Sequence, residues 1–252
     1  MEPDQEPSQS LISHLLELRS RLLRSAVAIL FGMMALLPFA NRLYTALAQP
    51  MMRSLPQGAS MIATGVAAPF MVPFKFAMMV AVYLAMPYVL YQVWAFVAPG
   101  LYRRERAFAL PLLVSAVVLF YTGMAFAYFL VFPMIFGFFA STAPVGVLVM
   151  TDVASYLDFV LAMFLAFGVA FEVPVIVVLL VLLGFVDVPA LRQARPYVIV
   201  GAFVIGMLLT PPDMFSQTLL ALPICLLFEA GLQVSALLAR RAAARATLAG
   251  VD

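Results

Sequence analysis

Residues 159–186 read FVLAMFLAFGVAFEVPVIVVLLVLLGFV, an apolar run broken by one acid, Glu172. A hydrocarbon core of about 30 Å takes roughly 20 apolar residues of helix to cross, and this run exceeds that length. Counted from Asp158, Glu172 lies fourteen residues in, roughly 20 Å deep at helical rise. An ionised carboxylate at that depth costs on the order of 2.5–3.5 kcal/mol, so Glu172 must be neutral, hydrated or paired. Two uses fit it. It hydrogen-bonds another helix of its own bundle, or it forms a polar site in a groove that meets a partner helix.

The rest of the chain agrees with a membrane reading. Of 252 residues, 65% are hydrophobic and only 10% charged, and the mean hydropathy is +1.10. Water cannot solvate most of such a surface. Charge-free runs place further spans near residues 23–39, 76–97, 108–132, 197–209 and 214–239. The expected fold is therefore an all-α integral membrane protein with six transmembrane helices in a bent, concave bundle. The bend is expected from Pro87, Pro174 and Pro223, which remove backbone donors inside spans. Spans five and six read as short: residues 197–209 cover roughly 20 Å, and residue 214 is separated from Glu229 by roughly 22 Å. A thinned bilayer or a water-filled dent follows physically.

Arginine placement sets the expected orientation, because short loops rich in Arg and Lys stay cytoplasmic. Arg19, Arg21 and Arg24 precede span one, and Arg103, Arg104 and Arg106 lie between spans two and three. Arg192 and Arg195 lie between four and five, and Arg240, Arg241 and Arg245 follow six. Eleven of the 14 basic residues thus share one side, leaving Arg42, Arg53 and Lys75 on the other with Asp152, Asp158 and Asp213. Both termini should face the cytoplasm. The expected organisation is an amphipathic N-terminal segment over residues 1–21, a transmembrane domain over 22–239 and a cytoplasmic tail over 240–252. The polar, acidic start is unlike a cleavable signal peptide, so the first helix should persist. Two long outer segments are expected, 41–75 and 133–158; the first, with four prolines, should form ordered turns or short helices.

Other polar residues are weaker signals. Glu105 sits among three arginines that topology explains, although topology does not explain the acid. Ser216 and Gln217 read as interhelical hydrogen-bonding groups, and Asp213 with Thr210 reads as a helix cap. His14, the only histidine, has no neighbouring ligand for a metal, and the lone Cys225 in an apolar run reads as a small buried side chain. There is no phosphate-binding Gly/Lys loop, no HExxH pair and no GxSxG, so no nucleotide site and neither form of hydrolysis has support. A net charge of +2 gives no case for nucleic acid.

Taken in order, several motifs resemble the TatC family over residues 11–234. They are HLLELR at 14–19, FVAPGLYRRER at 96–106, FGVAFEVP at 167–174, RPYV at 195–198 and LTPPD at 209–213, followed by Ser216 and Gln217. The resemblance implies a receptor and scaffold of the bacterial inner membrane, without cofactor or metal and not an enzyme. It would bind twin-arginine signal peptides at the cytoplasmic face and assemble with TatA-type and TatB-type single-span subunits and further copies of itself. It would export folded proteins using the proton motive force. By the same resemblance Glu17, Arg19, Phe96, Glu105 and Arg106 belong to signal-peptide binding, and Glu172, Met207, Thr210, Asp213 and Gln217 to the groove or partner contacts. Guanidinium pairs suit carboxylates because the fork geometry allows two parallel hydrogen bonds, which lysine cannot reproduce. One departure is visible: residues 63–70, ATGVAAPF, lack the acid that many relatives carry there.

Two other classes compete. A small-solute transporter using Glu172 as a proton-coupled site would favour internal repeats and a second intramembrane acid, and neither is visible. An intramembrane enzyme needs a base, and His14 lies outside the expected bundle.

Overall fold

The computed structural model describes residues 6–45, 62–97, 109–142, 152–209 and 213–249. The helices are α1 (Glu6–Leu36), α2 (Ala68–Val97), α3 (Ala109–Phe126), α4 (Phe132–Thr142), α5 (Val153–Ala170), α6 (Val173–Leu182), α7 (Val188–Gln193), α8 (Arg195–Leu209) and α9 (Met214–Ala249). Five helical stretches are long and apolar enough to cross a membrane, and α8 is a shorter apolar sixth. The chain forms two compact units, Met1–Gly100 with Met150–Leu157, and Leu101–Val149 with Asp158–Asp252.

In the first unit α1 packs along α2. The Cβ that Gly32 lacks would sit 3.6 Å from that of Ala81, so small residues bring the two helices together. The amphipathic start and the first span are one helix, because nothing between Glu6 and Leu36 breaks the backbone hydrogen bonds. A 3-10 turn at Leu37–Phe39 follows, with Pro38 in it. Asp152 ties together the end of this unit at which α2 begins. Its carboxylate accepts from the N–H and Oγ of Thr64 and from the N–H and Oγ of Ser155, at 2.9–3.1 Å. The Val153 N–H donates to the Ile62 carbonyl beside it.

The second unit has two kinds of core. Aromatic rings fill one, with Phe126 against Phe167 and Phe171, and Phe132 against Phe159 and Phe164. The other is mostly branched aliphatic with one ring, where Val177, Leu191, Phe228 and Leu232 are buried and Val173, Val181 and Val198 pack on them. Gly231 permits that second core, since a Cβ there would lie 2.8 Å from the Pro174 Cα. A Schellman turn ends α6: Gly184 takes φ +71° and the Phe185 N–H reaches the Leu180 carbonyl.

Two boundaries differ from the sequence expectation. Helix extends beyond the expected span limits at 132 and 159, since α4 runs to Thr142 and α5 starts at Val153. Pro133 does not end the helix because a π turn at Ala127–Val131 precedes it, with the Phe132 N–H reaching back five residues to Ala127. Within segment 41–75 the described residues are helical over 41–45 and from Ala68 onward; Pro69 falls in the first turn of α2, where no intrahelical donor is required. Of the prolines expected to bend the spans, Pro87 and Pro223 leave their helices continuous, whereas Pro174 follows a break between α5 and α6.

Candidate functional site

The N-terminal end of the α1–α2 pair carries a polar cluster. Arg21, one turn after Glu17, donates through Nε (3.0 Å) and Nη2 (2.6 Å) to Glu17 Oε1. Its Nη1 reaches the amide oxygen of Gln92 at 3.3 Å, and Gln92 is buried within the apolar run of α2. Glu17 therefore has one oxygen committed to Arg21, and its side chain remains 40% exposed. Beside this pair the His14 ring stacks on Phe96, centroids 4.3 Å apart and planes 27° apart. A carboxylate with an open oxygen next to an aromatic stack can take a guanidinium by charge-assisted hydrogen bonding and by stacking.

Sequence reasoning named Glu17 and Phe96 but missed Arg21 and Gln92. The signals were present: Glu17 and Arg21 have the i, i+4 spacing of a helical ion pair, and Gln92 is a lone amide in an otherwise apolar span. Arg19 does not join this face. Two residues along a helix turn the side chain about 200°, and Arg19 instead lines an open groove of about 700 Å³ with Leu16, Leu23, Arg24, Val27 and Tyr88. Glu105, Arg106 and Thr210 lie outside the described residues.

The second unit holds the other candidates at two places. Glu172 occupies the break between α5 and α6, with its N–H donating to Val169 and its carbonyl accepting from Ile176. Its side chain is only 8% exposed, and Oε1 is buried with no partner among the described residues. The lone polar atom is unusual, because buried polar groups are nearly always satisfied. Pro174 has no N–H for the carbonyl four residues back, that of Ala170, so polarity beside Glu172 includes backbone as well as carboxylate.

The α8–α9 hairpin holds Met207, Asp213 and Gln217. Asp213 caps α9 by accepting from the Ser216 N–H at 2.7 Å, as its sequence position predicts. Gln217 donates to the Phe203 carbonyl at 2.8 Å across the hairpin, so its amide fastens the two helices. Met207 and Leu208, in contrast, are 55% and 75% exposed. Asp213 Oδ2 and Ser216 Oγ are buried and without partners among the described residues. No group of three or more His, Cys, Asp or Glu able to hold a metal occurs among those residues.

Comparison with known proteins adds to this geometry. The family model described as Sec-independent protein translocase protein (TatC) matches residues 13–223. The Sec-independent protein translocase protein TatC of Azotobacter chroococcum mcd 1 is 61% identical over 91% of this chain and 90% of its own. That of Escherichia coli K12 is 58% identical over 90% of this chain and 88% of its own. A crystal structure of the twin arginine translocase receptor TatC superposes with a TM-score of 0.80 at 35% identity, covering 89% of this chain and 98% of that one. The chain therefore belongs to the TatC family of protein translocase components, which are multi-pass proteins of the bacterial inner membrane, work with other Tat subunits and are not enzymes.

Proposed function

We propose that this chain is the receptor and core scaffold of its translocase, with both termini cytoplasmic, and that it binds twin-arginine signal peptides at its cytoplasmic face. The observation that carries this reading is the open oxygen of Glu17 beside the His14–Phe96 stack. Glu105 and Arg106 belong to the same recognition surface by motif, and the basic residues flanking the spans support the orientation. Binding discriminates arginine from lysine because only a guanidinium offers planar, forked donors.

Partner subunits of the TatA and TatB type dock by the same reading on the second unit. The unpaired, buried Glu172 supplies a polar contact for a single-span helix, and the exposed Met207 and Leu208 supply an apolar one. Thr210 and Asp213 flank that surface in sequence, and Gln217 stiffens it from inside. Further copies of the chain complete the complex, and the proton motive force drives export, in keeping with a sequence that has no nucleotide-binding loop.

The test is peptide binding to the full chain in membranes, using a paired-arginine signal peptide and its paired-lysine counterpart. Glu105→Arg should weaken the arginine peptide selectively, and unchanged binding removes the site. Glu172→Ala should abolish crosslinking of single-span subunits next to α5 and α6 without changing peptide binding.

A further inference from the structure

The groove on the first unit takes no part in the Glu17 contact proposed above, although the resemblance groups one of its lining residues, Arg19, with signal-peptide binding. Leu16, Leu23, Val27 and Phe31 form one exposed apolar stripe of α1, and Tyr88 of α2 stands at its side. Arg19, Ser20 and Arg24 lie at the N-terminal end of that stripe. Arg24 and Arg19 are five residues apart, about 7.5 Å along the axis, and neither meets a carboxylate among the described residues. The nearby carboxylate of Glu17 is held by Arg21; it lies opposite Arg19 and about two turns before Arg24 on the side that Arg24 shares. The groove thus joins two uncompensated cations and a hydroxyl to an apolar channel that runs toward the middle of the span.

We propose that this groove binds an anionic diacyl phospholipid from the leaflet that meets the N-terminal end of α1. The phosphodiester lies between Arg19 and Arg24 and accepts from Ser20, and one acyl chain follows Leu23, Val27 and Phe31. Charge decides the occupant. Basic pockets on transmembrane helices attract anionic headgroups, while a signal peptide bearing paired arginines meets like charge here. A wholly apolar partner helix would leave both guanidinium groups without counter-charge. Tyr88, 40% exposed beside the stripe, is of a residue type that membrane interfaces enrich.

The test is retention of lipid on the purified full chain after exposure to equal amounts of dioleoylphosphatidylglycerol and dioleoylphosphatidylcholine, read by native mass spectrometry. The wild type should retain phosphatidylglycerol preferentially, by about fivefold for each arginine. Arg24→Gln should lose about half of that preference on a logarithmic scale, and Arg19→Gln with Arg24→Gln should abolish it. Val27→Trp, at an exposed position where folding is not at stake, should lower retention of lipid while leaving the charge in place. Soluble glycerol phosphate should not displace the lipid. Equal retention of the two lipids by the wild type, an unchanged preference in the double variant, or displacement by glycerol phosphate overturns the proposal. So does full lipid retention in Val27→Trp together with loss of a co-purifying single-span subunit, which makes the occupant a helix.

Discussion

Arg195, the first residue of α8, and Glu229, about four turns into α9, form a forked ion pair, with Nε 3.0 Å from Oε2 and Nη2 2.7 Å from Oε1. The pair fastens the start of α8 to the middle of α9, at the end of the two helices away from Leu209 and Met214. Along its whole length α8 has 15 residues, roughly 22 Å, well under the usual hydrocarbon thickness. Gln233 adds a hydrogen bond to Glu229 Oε1 at 3.1 Å, so the acid has partners from both helices. Glu229→Arg should lower the melting temperature of the protein in detergent, because it places a cation beside Arg192 and Arg195. Combining it with Arg195→Glu should restore part of the loss; a swap no better than the two single changes added together would mean the pair does not hold the hairpin.

Close approach at Gly231 gives a second expectation. Gly231→Ala forces a Cβ against the Pro174 backbone, which should destabilise the second unit by about 1–3 kcal/mol. Gly201→Ala meets nothing within 4 Å and should be neutral or stabilising by up to about 1 kcal/mol, since alanine is the better helix former. Denaturation of the two variants side by side in the same detergent checks this.

The tie at Asp152 should depend on pH. The N–H groups of Ser155 and Thr64, then their hydroxyls, hold its carboxyl well below the usual carboxylate range. A carboxyl lowered in the folded state contributes stability above its unfolded value, near 3.9, and loses it as pH falls further toward the folded value. The stability difference between the wild type and Asp152→Asn should therefore be constant from pH 7 to about 5 and shrink below about pH 4. Thermal melts of both proteins across that range decide it, and a constant difference down to pH 3 counts against the tie.

At the polar cluster, Glu17→Gln should weaken binding of a paired-arginine peptide by about tenfold to a hundredfold, the loss expected for a hydrogen bond to a charged group. Arg21→Gln leaves the carboxylate but frees it to rotate, so its effect should be smaller. Equilibrium binding of a fluorescent signal peptide separates the two. An Arg21→Gln effect as large as that of Glu17→Gln would assign the binding to the ion pair rather than to the acid.

Much of this architecture is legible in the residues. Charge-free runs locate each crossing because hydrocarbon admits so few charges, and the short residue count between Tyr197 and Leu209 already marks the abbreviated hairpin. The helix ends are less legible. Pro133 reads as a boundary, yet a single π turn carries the helix past it to Thr142. Asp152, not Asp158, begins the next helix, because its side chain caps the Ser155 N–H. For the site, Glu172 is readable from its isolation in an apolar run. What one dimension hides is angular. Arg19 and Glu17 are neighbours in the sequence but face opposite ways, and the Gln92 that steadies Arg21 is 71 positions away.

The interruption at Glu172 has a consequence for how deep a neighbour can sit. An uninterrupted apolar helix offers a visiting helix the same greasy surface at every height, so the visitor can ride up or down with little penalty. On the docking reading proposed above, a carboxyl group beside a backbone carbonyl that Pro174 cannot serve acts as a detent at one height. A visitor with a single polar side chain comes to rest where that side chain meets the notch, and moving it by one turn strands both groups in oil. The kink thus converts a slippery wall into a graduated one.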